Sequence, residues 1–210
     1  YLNNGETGSV TFIGTVSPAG GNLKEPVTES TKKAARCFYA LSQNRADSKR
    51  YPAIDTLDSY SKYLEYPEFI DYSKEKLDEN WVGLVNEVRN ILVRGKETEE
   101  QINILGDDSV PIDYHVTLWK SEFVDFVILQ QDAFDKIDAT TSLERQEYML
   151  KKVINVTRSE FKFEGFEEVA IYFKRLINVF RQMNYTVFKS EEFHKVEEEA
   201  NAVLEERIIK

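Results

Sequence analysis

Apolar residues recur at helical spacing through most of the chain after Tyr66, and this periodicity constrains the fold more than any other feature of the sequence. Side chains spaced in this way lie on one face of a helix and are buried against neighbouring helices. The pattern therefore predicts a mainly α-helical chain, with a helical bundle over residues 65–210. The stripes comprise Leu77, Trp81, Leu84, Val85, Val88 and Leu92; Val116, Trp119, Phe123 and Phe126 or Val127; Phe166, Val169, Phe173, Leu176, Ile177 and Phe180; and Phe193, Val196, Ala200, Val203 and Leu204.

Glycine and proline mark the expected helix ends. Gly95 follows the first stripe and is typical of a helix stop, whereas Pro111 suits the first turn of the next helix. Nearer the N-terminus, Thr28 is a plausible N-cap for a helix that extends to about Ser42.

The first 64 residues have a different pattern. The run Gly8–Gly14 is rich in Val, Thr, Phe and Ile and predicts a strand, which is followed by a loop containing Pro18, Gly20, Gly21 and Pro26. An isolated strand is unstable in water, and no second strong strand is evident in the sequence. Because the chain also opens on Tyr1 without Met, we interpret it as a fragment. Residues 1–64 are expected to be the remnant of an α/β nucleotide-binding domain, and residues 65–210 a separate helical domain.

The charge balance argues against two classes of partner. Lys and Arg number 27 against 37 Asp and Glu, which gives a net charge of −10. This charge repels the phosphate backbone of nucleic acids and anionic membrane surfaces. No apolar run is long enough to span a bilayer, so neither nucleic-acid binding nor direct membrane insertion is expected.

The sequence lacks the motifs of a self-sufficient catalytic site. It has no G-x-x-x-x-G-K-[ST] phosphate loop and no Cys/His spacing typical of a metal site. Gly20 and Gly21 could let backbone N–H groups approach an anion, but the Lys and Ser/Thr of a phosphate loop do not follow them. We therefore predict no catalytic residue and no metal ligand in these 210 residues.

Three collinear segments carry a family resemblance. They are Gly14-Thr-Val-Ser-Pro-Ala-Gly-Gly21 with Glu25-Pro-Val-Thr28, then Tyr51-Pro-Ala-Ile-Asp-Thr-Leu-Asp-Ser-Tyr-Ser-Lys62, and then Gln130-Gln-Asp-Ala-Phe-Asp135. In this order and spacing, the chain resembles the last third of the catalytic A-type subunits of V-type and A-type rotary ATPases.

The resemblance implies a role for two aromatic residues. In such subunits, an aromatic residue before the "PA(I/V)" segment and a Phe of a "QNAFD"-type segment sandwich the adenine ring, and here these positions are Tyr51 and Phe134. Asp132 stands where the second motif usually has Asn. Taken without the family, Tyr51 would be interpreted as a turn residue and Phe134 as a core residue.

The resemblance also implies two loops that face the rotating central stalk. One is Ser17–Glu25, which includes Ser17, Gly20 and Gly21, and the other is the acidic turn with Asp107 and Asp108.

The resemblance further distinguishes the two kinds of sister subunit in the hexamer. Non-catalytic, B-type subunits carry an arginine finger where this sequence has Lys62, and Lys lacks the planar fork that contacts a phosphoryl group through two hydrogen bonds. The catalytic, A-type subunit is therefore favoured.

For the complete subunit, the resemblance implies binding of ATP or ADP with Mg²⁺, assembly with the B-type subunits of the catalytic hexamer and with the central-stalk subunits, and a peripheral position on the cytoplasmic side of a membrane. The complex would couple ATP chemistry to proton or sodium transport. The phosphate loop would lie upstream, so no cofactor and no ATPase activity are expected of the fragment alone. The alternatives are a B-type subunit and a helical interaction scaffold that binds no nucleotide.

Overall fold

The structure is a computed structural model that describes residue 5 and residues 7–209. Most of these residues are helical, which confirms the mainly α fold expected from the apolar stripes. The helices are α1 Pro26–Ala34, α2 Gln43–Asp47, α3 Pro67–Lys76, α4 Trp81–Leu105, α5 Ile112–Val124, α6 Leu143–Arg158, α7 Phe166–Tyr185 and α8 Glu191–Glu205, and the strands are β1 Cys37–Leu41 and β2 Ile54–Ser61.

The chain divides into two compact units, Tyr1–Phe38 and Tyr39–Lys210. In the first unit, Pro26 occupies the first turn of α1 and Glu25 is the N-cap. Thr28, expected as the N-cap, instead lies inside that turn, where its hydroxyl donates to Glu25 Oε1 at 2.9 Å. The boundary expected between residues 64 and 65 stays a prediction.

The strand predicted for Gly8–Gly14 is wrong for this structure. Residues 7–18 contain no helix or strand, and Val10 and Phe12 are almost fully exposed. A strand is stable only when a neighbouring strand pairs its backbone N–H and C=O groups. High strand propensity alone therefore does not form a strand here.

The helix predicted to continue from Thr28 to about Ser42 is also wrong in its second half. It ends at Ala34, and the following segment is β1, which forms a two-stranded sheet with β2. The amide of Ala40 donates to Ser59 Oγ at 3.0 Å. Over so few residues, apolar spacing does not separate a helix from a buried strand, and the pairing with β2 decides between them.

The helical bundle is built around α5 and α7. Helix α4 packs on α5, α5 on α7, and α7 on α8, while α6 contacts both α4 and α5. Ser142 and Ser190 cap α6 and α8 by accepting hydrogen bonds from backbone amides of the first turn. Within the described residues, no helix is both long enough and apolar enough to cross a membrane. The largest fully buried side chains include Phe123, Phe173, Phe180 and Phe193.

Gly95 does not stop a helix. Helix α4 continues through it and ends at Gly106, whose φ of 87° favours glycine. A Cβ atom at position 95 would lie 2.1 Å from Ser121 Cβ on α5. Gly95 is therefore required by the close approach of α4 and α5. The predicted apolar stripe of α4 wrongly included Leu77. This residue is the C-cap of the preceding helix, α3.

Gly95→Ala is expected to lower the free energy of unfolding by about 1–3 kcal/mol, because the added methyl group overlaps Ser121 in a closely packed contact. This loss opposes the helix propensity of Ala, which favours the variant by roughly 1 kcal/mol. Urea denaturation of the variant and the parent chain measures the net change.

The matched control is the same substitution in a Ser121→Gly background, where the overlapping Cβ and Oγ atoms are absent. There, Gly95→Ala should be neutral or stabilising, since only the propensity term remains. Equal losses in both backgrounds would contradict the steric explanation.

Candidate functional site

Tyr51 and Phe134 line the same pocket, although they are far apart in sequence. The pocket has a volume of about 340 Å³, and both residues belong to the compact unit Tyr39–Lys210. Tyr51 is 53% exposed and Phe134 is 100% exposed. Phe134 is thus not the core residue that its sequence context suggests in the absence of the family. Two aromatic faces are available to a flat ligand.

The loop that carries Phe134 is held by its own carboxylates. It follows a π-helical turn, Asp125–Leu129, that continues α5 and is closed by the Gln130 amide donating to the Asp125 carbonyl at 2.9 Å. Asp132 Oδ1 accepts the amide of Phe134 at 2.9 Å, and Asp135 Oδ1 accepts two further amides of the loop. Asp132, which departs from the usual Asn, therefore makes a hydrogen bond that an Asn side-chain oxygen could also make.

Tyr51 is positioned by the segment after α2. Its carbonyl oxygen accepts the amide of Gln131 at 2.9 Å, which joins its backbone directly to the loop of Phe134. Its hydroxyl group donates to the carbonyl of Ala46 at 3.4 Å. The two aromatic walls of the pocket are thus connected through one backbone hydrogen bond.

Other pocket residues supply aromatic, amide and cationic groups. Several of the polar ones are already engaged, since Gln131 Nε2 donates to the Asp138 carbonyl at 2.6 Å and Asn184 Nδ2 donates to the Val127 carbonyl at 2.8 Å. Each of these two amides keeps its side-chain oxygen and a second N–H group, so the pocket offers polar groups as well as aromatic faces to a ligand. The further lining residues are Lys49, Phe126, Gln130, Asp132, Ala133, Arg181 and Tyr185.

A network of two arginines and two carboxylates lies beside the pocket. Arg50 contacts Glu122 through both terminal nitrogens, at 2.7 and 3.0 Å, and Asp125 at 2.9 Å, while Arg45 contacts Asp125 at 2.7 Å. Burial lowers the pKa of Arg50, but Glu122 and Asp125 outweigh this effect and the pKa is raised. Arg50 stays charged and also lies 4.6 Å from the ring centre of Phe126, a pocket residue.

The buried Arg145 supports the end of α7, which also lines the pocket. Arg145 donates from Nη2 to the carbonyls of Met183 and Asn184, at 2.7 Å each, near the end of α7. Burial lowers the pKa of Arg145. Burial raises the pKa of Asp138, a pocket residue, although the charge of Arg145 favours its ionised form. The end of α7 that carries Asn184 is therefore fixed by one side chain from α6.

The residues expected to face the stalk are exposed. Ser17, Gly20 and Gly21 lie in or next to the 3-10 turn Ala19–Gly21, and Asp107 and Asp108 lie in the 3-10 turn Asp107–Ser109. Asp107 and Asp108, which belong to the same unit as the pocket, do not line it.

Two further expectations from the sequence concern Lys62 and metal binding. Lys62 lies outside the pocket of Tyr51, in a separate groove of about 470 Å³ that Arg89 also lines. Across residue 5 and residues 7–209, no group of His, Cys, Asp and Glu side chains is arranged to hold a metal ion.

Sequence reasoning missed the residues that support the aromatic pair. Arg45, Arg50 and Arg145 stand among charged or polar neighbours, and in such a context a charged residue is interpreted as part of a solvated face. Only for Asp125 does the sequence indicate burial, because this residue lies between Phe123 and Val127 of the predicted apolar stripe.

Two families match this sequence. Residues 2–61 match the family described as "ATP synthase alpha/beta family, nucleotide-binding domain", and residues 70–164 match "C-terminal domain of V and A type ATP synthase". Tyr51 falls in the first match and Phe134 in the second. The fold and these matches define a class: the end of an ATP synthase nucleotide-binding domain followed by the helical C-terminal domain of the V and A types.

Comparison with relatives narrows this class. The chain is 41% identical over 199 residues to a V-type ATP synthase alpha chain of Borrelia duttonii, covering 93% of this chain and 32% of the relative. It is 38% identical over 197 residues to that of Treponema denticola, covering 94% and 31%, and 35% identical over 206 residues to that of Protochlamydia amoebophila, covering 98% and 34%. The chain belongs to the V-type ATP synthase alpha-chain family and corresponds to its C-terminal part.

The chain spans about a third of the length of these relatives. Among solved structures, it resembles an ATP synthase subunit, NeqB, from Nanoarcheaum equitans, with 19% identity and a TM-score of 0.49, covering 67% of this chain and 33% of that one.

Proposed function

We propose that Tyr51 and Phe134 hold the adenine ring of ATP or ADP in the complete protein. One observation carries the proposal: two exposed aromatic side chains, one from each matched family region, line one pocket of about 340 Å³. This volume lies at the lower end of the range of small-molecule sites, as expected for the base of a nucleotide rather than the whole molecule.

Stacking between aromatic rings accounts for binding without strict selection of the base. Stacking of a nucleic-acid base on an aromatic side chain is worth about 1–3 kcal/mol, and it depends on the ring face that all bases share. The pocket would hold the base while other residues act on the phosphates.

The complete protein would be the catalytic, A-type subunit of an ion-translocating rotary ATPase, peripheral to the cytoplasmic face of a membrane. The phosphate loop, the ligands of Mg²⁺ and the residue that positions the attacking water would lie upstream in the same subunit, and a neighbouring B-type subunit would supply the arginine finger. The chain described here holds none of these groups, so we expect no ATPase activity from it alone. Phosphate release above the buffer rate by the purified chain would contradict this.

We further propose that Ser17–Glu25 and the turn of Asp107 and Asp108 contact the central stalk. Ser17, Gly20, Gly21, Asp107 and Asp108 are all exposed, and the acidic turn suits a basic surface. Single exposed charges contribute about 1 kcal/mol or less, so the contact would depend on several residues together. Cysteine crosslinking from positions 20 and 108 to the stalk subunits tests the placement, and an assembled, active complex that gives no crosslink would exclude it.

Tyr51→Ala and Phe134→Ala are each expected to raise the KM for ATP in the complete complex by roughly 5- to 150-fold, the equivalent of about 1–3 kcal/mol. The maximal rate should change much less, because a ring that contacts the base equally before and during reaction contributes uniform binding. Steady-state hydrolysis over a range of ATP concentrations measures both quantities.

Tyr51→Phe provides one control, since it keeps the ring and removes only the weak hydroxyl contact to Ala46. Tyr72→Ala provides another, because Tyr72 is 48% exposed, close to Tyr51 in exposure, and is not a pocket residue. Neither should change the KM appreciably. A fall in the maximal rate at an unchanged KM in Tyr51→Ala and Phe134→Ala would show that the aromatic pair does not bind the base.

A further inference from the structure

Asp125 is a buried carboxylate that joins the two walls of the pocket. It is 4% exposed and begins the π-helical turn Asp125–Leu129 at the end of α5. Its Oδ1 accepts from Arg45 Nη1 at 2.7 Å, and its Oδ2 accepts from Arg50 Nη1 at 2.9 Å. Since Arg50 directly precedes Tyr51, the side chain of Asp125 fixes the segment that carries the first aromatic wall.

The backbone of the same residue fixes the second wall. The Asp125 carbonyl accepts the amide of Gln130 at 2.9 Å, and this hydrogen bond sets where the loop of Phe134 leaves the helix. The next amide, that of Gln131, donates to the Tyr51 carbonyl at 2.9 Å. Asp125 is therefore bonded to both segments, through two kinds of contact that do not depend on each other.

Charge neutralisation explains the contact of Asp125 with Arg45, for which it is the counter-ion, but not its second contact with Arg50. Arg50 already has a bidentate partner in Glu122, so it does not need Asp125 as a counter-ion. Burying a carboxylate with its partners is weak evidence for a gain in stability, because desolvation opposes the attraction between the charges. In some proteins a buried polar group specifies one geometry, and π-helical turns are frequently found at functional sites.

We propose that Asp125 is a positioning residue that sets the spacing of the Tyr51 and Phe134 rings for the base of the nucleotide. This inference rests on the proposed function of the pocket. Asp125 does not line the pocket, and its side chain acts through Arg45 and Arg50, without contacting the nucleotide.

Asp125→Asn in the complete complex tests the inference, with Glu122→Gln as the matched control. Both variants remove one negative charge from the network and keep a side-chain oxygen, but only the side chain of Asp125 joins Arg45 to Arg50. Asp125→Asn is expected to raise the dissociation constant of ADP about ten-fold or more, and Glu122→Gln less than about three-fold. An unchanged ADP affinity in Asp125→Asn would overturn the inference.

A probe without a base separates positioning of the rings from general damage. Inorganic tripolyphosphate, used as a competitive inhibitor of ATP hydrolysis, engages the phosphate groups of the site alone. Its inhibition constant should be the same in Asp125→Asn and in the parent complex. A parallel loss of tripolyphosphate affinity would show that Asp125 supports the whole site, and the inference would be wrong.

A double-mutant cycle with Tyr51→Ala shows whether Asp125 acts through the ring. When Tyr51 is already alanine, Asp125→Asn should weaken ADP binding by less than about two-fold, because residues that act as a unit give non-additive losses. Additive losses would contradict the inference. Arg45→Gln provides a second route if Asp125→Asn does not assemble, since it breaks one of the two ion pairs and should weaken ADP binding in the same direction; unchanged binding would overturn the inference.

Failure of this inference and failure of the proposed function give different results. If Tyr51→Ala and Phe134→Ala weaken ADP binding but Asp125→Asn does not, the base site stands and the role of Asp125 is wrong. If neither aromatic substitution affects binding, the base site itself is wrong.

Discussion

Phe180→Ala should lower the free energy of unfolding by about 3–5 kcal/mol, the largest stability effect that we expect for a single substitution in this chain. Phe180 is 1% exposed on α7 and meets Phe123 of α5 edge to face, with ring centres 4.9 Å apart. Removing the ring takes away both the burial of a large apolar side chain and this aromatic contact, and it leaves a cavity that the surrounding helices fill only partly.

Urea denaturation followed by circular dichroism measures this loss. Ile171→Ala is the matched control, because Ile171 lies on the same helix but is 71% exposed, and its truncation should change stability by about 0.5 kcal/mol or less. If Phe180→Ala were as stable as Ile171→Ala, the contact between α5 and α7 would not be the centre of the core.

Arg145→Met should lower the free energy of unfolding by about 2–3 kcal/mol at neutral pH, because hydrogen bonds from a charged donor to buried partners are stronger than neutral ones. In this variant the Met183 carbonyl still accepts hydrogen bonds from the backbone amide and the hydroxyl group of Thr186. The lost hydrogen bond is therefore felt mainly at the Asn184 carbonyl. Arg158→Met, on the same helix α6, is the control. Its ion pair with Glu87 is exposed and should contribute less than about 1 kcal/mol.

The loss in Arg145→Met should also depend on pH. Burial raises the pKa of Asp138, and the charge of Arg145 partly opposes this shift. Without Arg145 the pKa should rise further. For an acid whose pKa is raised by folding, stability is lost as pH rises from its unfolded to its folded pKa. The difference between variant and parent should therefore be larger at neutral pH than in acid, where Asp138 is protonated. Denaturation at both pH values measures this difference, and a larger loss in acid would contradict the assignment.

The candidate site could be predicted in part, and the part that was missed has a physical reason. Tyr51 and Phe134 were found through the motifs around them, and the structure places both at one pocket. Asp125, Arg45, Arg50 and Arg145 were not found, because their roles depend on partners far away in sequence. Arg45 and Asp125 are separated by 80 residues, and nothing local to either predicts their contact.

The same distinction explains the errors in the fold. The extended segment Gly8–Gly14 has strong strand propensity but forms no strand, whereas Cys37–Leu41 has helical spacing and forms one. In both segments, the presence or absence of a pairing strand decided whether a strand formed, whatever the local preference of the residues. Gly95 was interpreted as a helix stop because its requirement comes from Ser121 on another helix.

The mainly helical fold, the apolar faces of α4, α5, α7 and α8, and the family follow from residue periodicity and motifs, because these are local features of the chain. The tertiary structure alone decided which strand forms, which glycine ends α4, and which buried charges support the pocket. These features are pairwise contacts between distant segments, and their free energies arise only when folding removes both partners from water and brings them within a few ångströms of each other.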